Sequence, residues 1–425
     1  MKIFPYYLKR ILILTFAGLH LANYFIESTV LFYICCSLQV YIFVSAIMEL
    51  PKLNSRVSLG LMGIGVALML WKKMPLEAWF LAVDKNGGIA TLFIAVQMMF
   101  LPFFYDDYQE ELKKVAKVYM RSLVPFGILT FLVSHIFGVI IGIGAVALVY
   151  ELFKKNAELY DAENVFMSSL MRGYCTSGFW SPAWASILVV TTQMKVPWVS
   201  IIPWGLVFTL LLCIVNTVSI WFKIKRNPDK YPILKAEDDL KVDWRQVYKL
   251  VALALALILS ILTMSLITSW DLMIIIPIVS IIFPITAAFI QCKWGKYREG
   301  MQRYFDKSTI KVQGEVVLFT AAGFLSKALE YSGVGAMIPR LIPDWMSQYP
   351  ALLIASIMLL MILPSLAGVH PVAIGTALAT TVVPESIGLT KFSFALTIVA
   401  GWAFAIQFSP FSAVSLVAAG LVNRL

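Results

Sequence analysis

The chain has 425 residues, of which 60% are hydrophobic and 14% are charged. Soluble domains are about 45–50% apolar, so this composition excludes a soluble globular protein and indicates a membrane protein with many spans. The net charge of +10 fits Lys and Arg gathered on the cytoplasmic loops of such a protein, and no nucleic acid partner is expected.

The apolar runs predict an all-α polytopic membrane protein with about ten transmembrane helices and two re-entrant hairpins. The N-terminal stretch has a basic start and an apolar run but no clear cleavage site, so residues 1–28 are interpreted as an uncleaved extra span. In chain order, the predicted spans are 11–26, 29–49, 57–71, 88–105, 165–191, 199–222, 249–268, 271–291, 314–331 and 391–420.

The two predicted hairpins, 123–152 and 350–384, carry Gly or Pro in the middle of apolar sequence, in "SHIFGVIIGIGA" and "PSLAGVHPVAIGTA". Non-helical backbone at membrane depth occurs only where protein or a water-filled cavity satisfies its polar groups. With a cytoplasmic N-terminus, this arrangement places about 27 Lys and Arg residues inside and about 6 outside. The charge bias therefore favours hairpins and predicts a multi-pass protein of the cytoplasmic (inner) membrane.

A polar segment at 223–248 is predicted to be a cytoplasmic linker between two inverted repeats, 29–222 and 249–425. At an offset of 228, Gly173 lies over Gly401, and the Ser-Pro pair at 181–182 lies over the pair at 409–410. The offset is 230 for "FGV" (137–139) over "AGV" (367–369) and 229 for Thr91 over Thr320. Inverted repeats with broken helices are a transporter architecture.

The Ser-Pro pairs predict a break in the middle of the spans 165–191 and 391–420. Proline lacks an N–H group and clashes with the preceding turn, so carbonyls about one turn back lose their partners. The positive ends of half-helices would bind an anion, and the freed carbonyls would bind a cation such as Na⁺. The alternative is a pair of ordinary proline kinks.

Three stretches resemble, in order and pattern, the ion transporter superfamily, which includes the divalent-anion:sodium symporters. They are "TAAGFLSKALEYSGVGAMI" (320–338), "SLAGVHPVAIGTALATTVVPESIGL" (365–389) and "FAIQFSPFSAVSLVAAG" (404–420). The resemblance covers the second half well and reaches the first half mostly through the repeat. It implies an elevator-type carrier, often a homodimer, with interfacial arms at 106–121 and 332–348.

By this resemblance, two hairpin tips and two broken helices bind the substrate in a mobile transport domain. The first tip is expected near Ser134, His135 and Gly138, and the second near Ser365, Gly368 and His370. The broken helices are expected to contribute Thr176, Ser177, Ser181 and Pro182, and Gln407, Ser409, Pro410 and Ser412. A sodium ion, if it is coupled, would bind at the same residues.

The chain departs from the symporters in two ways. The symporters have Ser-Asn-Thr at both tips, where this chain has "SHIFGV" and "SLAGVH". The resemblance therefore does not imply dicarboxylate binding or the usual sodium sites. No counterpart of the span 199–222 follows the second broken helix. The expected scaffold is therefore asymmetric or completed by a partner.

Two observations bear on the chemistry of the site. His370 precedes Pro371 at a predicted tip, so it either carries a proton, donates to an anion, or is a neutral histidine bonded to the backbone. The predicted core has no clear intramembrane Asp or Glu, which argues against a cation/proton exchanger. Lys327 and Glu330 are predicted to form a local ion pair.

The sequence thus predicts a secondary active transporter of a small anionic solute, coupled to Na⁺ or H⁺ and without a cofactor. No ATP-binding Gly-rich loop and no dense catalytic set is present in the sequence, so an enzyme is not expected. The alternatives are a cation/proton antiporter, a flippase or assembly protein for lipid-linked substrates that meets membrane lipid through its basic loops, and a structural membrane subunit.

Overall fold

The computed structural model describes residues 3–50, 52–106, 108–231, 241–334 and 343–422. These residues form helices and no strand. Eight helical segments among them are long and apolar enough to cross a membrane. The chain is therefore an all-α, multi-pass membrane protein.

The described part of the first half is built from eleven α-helices. They are α1 Ile3–Ile26, α2 Thr29–Ile47, α3 Lys52–Trp71, α4 Leu76–Asp84, α5 Gly87–Met99, α6 Tyr108–Tyr119, α7 Leu123–Ile141, α8 Gly144–Leu159, α9 Glu163–Ser177, α10 Ala185–Gln193 and α11 Trp198–Arg226. Side-chain caps fix some starts: Ser28 accepts a hydrogen bond from the N–H of Leu31 where α2 begins. A 3₁₀ turn, Leu101–Phe104, links α5 to the amphipathic α6.

Nine further helices form the described part of the second half. They are α12 Trp244–Ile267, α13 Leu272–Ile290, α14 Trp294–Arg303, α15 Thr309–Lys311, α16 Gln313–Ser332, α17 Pro350–Leu366, α18 Pro371–Thr381, α19 Lys391–Phe408 and α20 Ala413–Leu421. A π-helical turn, Tyr304–Ser308, joins α14 to α15. The predicted ion pair on α16 is confirmed, with Nζ of Lys327 2.6 Å from Oε1 of Glu330.

Most of the predicted spans coincide with helices of spanning length. The eight segments are Thr29–Ile47, Asn54–Trp71, Leu76–Phe104, Leu123–Ile141, Trp198–Arg226, Trp244–Ile267, Leu272–Ile290 and Lys391–Leu421. The predicted spans 11–26 and 165–191 are not among them, and α16 qualifies only together with Trp294–Lys311, from which it is bent by 44°. The count of ten spans therefore stays a prediction.

Both predicted hairpins are helix–turn–helix units whose helices pack on each other: α7 on α8, and α17 on α18. The second pair is short, since α17 has 17 residues and α18 has 11. The first pair differs, because α7 alone is long enough to cross a membrane. Of the predicted interfacial arms, 106–121 contains α6, whereas most of 332–348 lies outside the described residues.

Corresponding pairs of helices pack on each other, both within the two halves and between them. Helix α7 packs on α9 as α17 packs on α19, and α5 packs on α13 as α16 packs on α3. The second segment of each broken helix crosses to the other half: α10 packs on α18, and α20 packs on α8. The hairpins and broken helices are therefore interlocked. Helix α16 packs on α2 to α5 and also on α18, so it joins this group to a second group that contains α1 to α5 and α13.

A break that the sequence analysis did not identify separates α4 from α5. Asp84 ends α4, and its Oδ1 lies 3.2 Å from Nε2 of His20 on α1. Nε2 of Gln39 donates to the carbonyl of Val83 at 3.0 Å, which satisfies a carbonyl at the end of α4. The fully buried Asn86 then begins α5. The amide nitrogen of Asn86 donates to the carbonyl of Phe319 at 3.2 Å, so α1, α2 and α16 all contact polar groups at this break.

Candidate functional site

The first predicted break is confirmed: α9 ends at Ser177, α10 begins at Ala185, and Ser181 and Pro182 lie between them. The hydroxyl of Ser181 donates to the carbonyl of Val139 on α7, 3.4 Å away. Proline cannot donate a backbone hydrogen bond here. The serine before it therefore attaches the break to the first hairpin.

The second predicted break is also confirmed: α19 ends at Phe408, and α20 begins at Ala413. The hydroxyl of Ser409 donates to the carbonyl of Ser365 on α17 at 2.6 Å and accepts from the N–H of Phe411 at 3.2 Å. In both breaks, the serine before the proline bonds a carbonyl near the end of a hairpin's first helix. This contact is shared by the two predicted repeats.

The first hairpin turn does not lie at Ser134, His135 and Gly138, so that predicted position was wrong. Those residues are inside α7, and the chain turns after it at Gly142, whose φ of 56° suits glycine. Gly138 serves packing instead: a Cβ there would come within 2.7 Å of Oγ of Ser177. Helix α7 continues through Gly138, because a single glycine among apolar residues did not end the helix.

The second hairpin turn lies where the sequence predicted it. Ser365 is in the last turn of α17, Gly368 adopts a φ of 93°, and His370 precedes α18. Nδ1 of His370 accepts a hydrogen bond from the N–H of Val372 at 3.2 Å and so caps that helix. Because Nδ1 accepts, the proton of a neutral ring resides on Nε2, which remains a donor.

His135 forms a closed network behind the first break. Nε1 of Trp180 donates to Nε2 of His135 at 3.3 Å, so the imidazole proton of the neutral ring is on Nδ1, which lies 2.9 Å from Oγ1 of Thr176. Trp198 in turn donates to the carbonyl of Trp180 at 2.7 Å. Both ring nitrogens of His135 are thus used inside the protein.

Several predicted hydroxyls also donate to backbone carbonyls. The bonds run from Ser134 to Leu170 (2.7 Å), from Thr176 to Gly173 (2.7 Å), from Ser177 to Tyr174 (2.6 Å) and from Ser365 to Met361 (2.9 Å). All four serine and threonine side chains are buried. Their main contribution is to helix packing around the breaks.

A cavity of about 630 Å³ is lined by both hairpin turns and both breaks. Five of the predicted site residues line it, namely Gly138, Gly368, His370, Ser409 and Ser412. Nine do not: Ser134, His135, Thr176, Ser177, Ser181, Pro182, Ser365, Gln407 and Pro410. The turns and breaks therefore meet at one cavity, although nine of the fourteen predicted residues do not line it.

Four helices begin at this cavity. Their first residues, Gly144 of α8, Ala185 of α10, Pro371 of α18 and Ala413 of α20, all line it. Helices α8 and α10 begin without a side-chain cap, whereas Oγ of Ser412 accepts from the N–H of Ser415 at the start of α20. The first turn of a helix carries unpaired N–H groups and partial positive charge. Some of these N–H groups are already bonded, to His370 in α18, to Ser412 in α20 and to carbonyls of the preceding turn in α8. The partial positive charge of the four ends favours negative charge in the cavity.

Charged side chains from α14 to α16 complete the cavity wall, and the sequence analysis missed them. The wall includes Lys296, Glu299, Arg303, Lys311 and Glu315. Arg303 and Lys296 pair with Glu299 at 3.0 and 3.4 Å. Among the described residues, no Lys, Arg or His side chain lies within ion-pair distance of the Glu315 carboxylate. The sequence could have indicated Glu315, because it is an acidic residue in the first turn of the predicted span 314–331.

The chain matches no known family model, and no curated protein is similar to it. Within the part of the chain that the structure describes, no group of three His, Cys, Asp or Glu side chains could hold a metal ion. The likeness to the ion transporter superfamily therefore stays a prediction drawn from the residues themselves.

Proposed function

We propose that the protein is a secondary active transporter of an anionic solute. The observation that carries this proposal is the cavity of about 630 Å³ at which both hairpin turns and both helix breaks meet. Broken helices that meet at one site are the way many transporters bind a solute within the membrane. The turns and breaks have non-helical backbone, and a solute in the cavity can form hydrogen bonds with its polar groups.

An anion fits the electrostatics of this cavity. Four helix N-termini line it, together with the basic residues Lys296, Arg303 and Lys311 and the acidic residues Glu299 and Glu315. Because Glu299 pairs with Lys296 and Arg303, the proposal rests mainly on the helix N-termini and Lys311. Nε2 of His370 adds a donor, because Nδ1 of that ring is occupied by the cap of α18. Backbone N–H groups at a helix start are established ligands for anions. The neutral donors bind the solute, and the basic side chains attract it.

The proposed mechanism is an elevator motion coupled to Na⁺ or H⁺, in a homodimer of the inner membrane with a cytoplasmic N-terminus. The cross-packing of α10 on α18 and of α20 on α8 supports a unit that moves as one body. Helices α3, α5, α13 and α16 pack on one another in pairs and suit a fixed scaffold. These assignments extend the resemblance and the charge bias of the loops.

The first test is gradient-driven flux into proteoliposomes that contain the purified protein. Benzenesulfonate, naphthalene-1-sulfonate, succinate and citrate are offered, each with an inward Na⁺ or H⁺ gradient. We expect at least one of them to accumulate tenfold or more above protein-free liposomes. Absence of gradient-driven flux for all four, in protein that is folded and correctly inserted, contradicts the proposal.

The variant His370→Asn tests the site itself. Asparagine is a good N-cap residue, so it keeps an acceptor for the N–H of Val372. Its shorter side chain has an NH₂ donor that does not reach the position of Nε2. We expect the melting temperature to change little and the flux of the transported anion to fall at least tenfold. Unchanged flux in this variant would show that His370 only caps α18.

Glu315 supports a second candidate, a cation/proton antiporter. Its carboxylate lines the cavity without an ion pair among the described residues, and such a carboxylate can bind a proton and a cation alternately. An antiporter would dissipate a preset pH gradient when NaCl or KCl is added in the absence of any organic anion, and Glu315→Gln would abolish that response. The control Glu330→Gln alters a residue paired with Lys327 outside the cavity. An anion symporter would show no response to the salts alone.

A further inference from the structure

We infer that the solute is a bulky amphipathic anion, with one anionic group and an aromatic or branched apolar body, and that small dicarboxylates and inorganic anions are poor ligands. This inference rests on the proposed transport function and narrows it to a substrate class. The evidence is the size of the cavity, the composition of its wall and the distribution of its polar groups.

The cavity is large for a small anion. Its volume of about 630 Å³ lies within the range of about 300–1,000 Å³ in which proteins enclose drug-sized molecules. A dicarboxylate of four carbons would leave most of this space to water. Tight binding of such a ligand would require several charged groups placed around a much smaller volume.

The wall of the cavity is rich in aromatic side chains. Phe93 of α5 and Phe319 of α16 stack with their ring centroids 5.1 Å apart. Trp184 precedes α10, and Trp402 lies on α19. Phe319, Trp184 and Trp402 are buried in the protein and shape the wall, whereas Phe93 is partly exposed. An apolar ligand body gains free energy where it displaces water from exposed aromatic surface of this kind.

Two of the aromatic residues are largely exposed although they line the cavity. Phe104 of the 3₁₀ turn is 53% exposed, and Phe411 in the second break is 47% exposed. Removing apolar surface from water contributes about 25 cal/mol for each Å². A ligand body in the cavity gains this free energy for the part of Phe104 and Phe411 that it covers there, whereas a hydrophilic anion does not.

The polar groups occupy separate elements. The helix N-termini and His370 belong to the hairpins and broken helices, whereas Lys296, Arg303 and Lys311 belong to α14 and α15. Aromatic residues come from α5 and the 3₁₀ turn that follows it, as Phe93 and Phe104, and also from the breaks, as Trp184 and Phe411. Donors and aromatic side chains therefore lie side by side, and a ligand with one anionic group and an apolar body contacts both.

Two sulfonates with the same anionic group test the inference directly. Binding of methanesulfonate and naphthalene-1-sulfonate to the protein in lipid nanodiscs is measured by calorimetry, with empty nanodiscs as the control for partition into lipid. We expect naphthalene-1-sulfonate to bind at least tenfold more tightly than methanesulfonate and to be transported into proteoliposomes. Neutral naphthalene-1-methanol should bind more weakly than the sulfonate, because it lacks the anionic group.

The variants Phe104→Ala and Phe411→Ala should each weaken binding of naphthalene-1-sulfonate about fivefold or more and leave methanesulfonate unaffected. Both side chains are exposed, so the fold should tolerate their removal, which the melting temperature without ligand verifies. Phe222→Ala is the matched control, since Phe222 is half exposed on α11 and does not line the cavity.

The outcomes separate the two proposals. If methanesulfonate or succinate binds as tightly as naphthalene-1-sulfonate and drives flux, the substrate class is wrong and the transport function stands. If the folded protein neither binds nor transports any of these anions, both proposals are overturned. If binding of the naphthalene compound is insensitive to Phe104→Ala and Phe411→Ala, the aromatic wall is not its site.

Discussion

The serines at the two helix breaks show how single side chains position the cavity. Ser181 donates to a carbonyl of α7, and Ser409 donates to a carbonyl of α17. Proline leaves the carbonyl four residues before it without a partner, and at the first break this carbonyl, of Gly178, accepts from the hydroxyl of Ser186 at 3.0 Å. Ser181 and Ser409 therefore hold the breaks against the hairpins, and only Ser409 also reaches the cavity wall.

Asp106 illustrates a charged residue that joins distant parts of the chain. Its carboxylate accepts hydrogen bonds from Lys249 at the start of α12 and from Lys293 before α14. Although burial favours the protonated form, these two lysines hold the pKa of Asp106 below its ordinary value of 3.8. The ion pairs therefore stabilise the fold most strongly when the carboxylate is ionised.

The pH dependence of stability should follow from this pKa. A carboxyl group whose pKa is lower in the folded state contributes stability above its unfolded pKa and loses it as the pH falls through the folded value. We expect Asp106→Asn to lower the melting temperature at pH 7, and the difference from the unaltered protein to shrink as the pH falls below about 4. Thermal unfolding followed between pH 3 and 7 checks this.

The matched control for Asp106→Asn is Glu110→Gln. Glu110 pairs with Lys113 on the same helix, but both side chains are largely exposed to solvent. Exposed pairs contribute little to stability. Equal losses of melting temperature for the two variants at pH 7 would show that the contacts of Asp106 do not stabilise the fold.

At the scale of helices, close packing of α9 on α7 depends on Gly173. A Cβ at Gly173 would lie 2.2 Å from the backbone oxygen of Phe131, so the two helices could not keep their separation. Gly401, its counterpart in the predicted repeat, differs. There, a Cβ would meet Sδ of Met361 at 2.8 Å, and a flexible side chain can move away.

Replacement of these glycines by alanine should therefore have unequal effects. We expect Gly173→Ala to destabilise the protein by about 1–3 kcal/mol, because overpacking displaces backbone. Gly401→Ala should be close to neutral, since alanine also favours the helix by up to about 1 kcal/mol. Thermal unfolding of the two variants in the same detergent measures the difference. Equal losses of stability would show that α7 and α9 can separate freely.

Local sequence patterns predicted some elements well and others poorly. The Ser-Pro pairs at 181–182 and 409–410 located both breaks, because proline acts on its own helix regardless of what surrounds it. The turn after Leu366 was also located, since Gly368 and Pro371 mark it together. The first turn was placed too early, because Gly138 fits within a helix, whereas Gly142 adopts the positive φ that ends α7.

At the scale of the whole molecule, the turns and breaks meet at one cavity, which is lined by five of the fourteen residues that the resemblance implied. The charged wall from α14 to α16 could not be predicted in the same way. Its position depends on contacts between residues far apart in sequence, such as the hydrogen bond from the hydroxyl of Tyr304 to the carbonyl of Ile94 at 2.7 Å. The missed Glu315 weakens the argument from the absence of intramembrane carboxylates.

The crossing of α20 onto α8 has a consequence for biosynthesis. The ribosome completes α8 at Leu159, but residues 413–421, which cover it, are translated roughly 250 residues later. At about 5–20 residues per second, this interval is roughly 10–50 s. During that time the nascent first hairpin sits in the bilayer with one side open, where a chaperone or the insertion machinery has the opportunity to shield it.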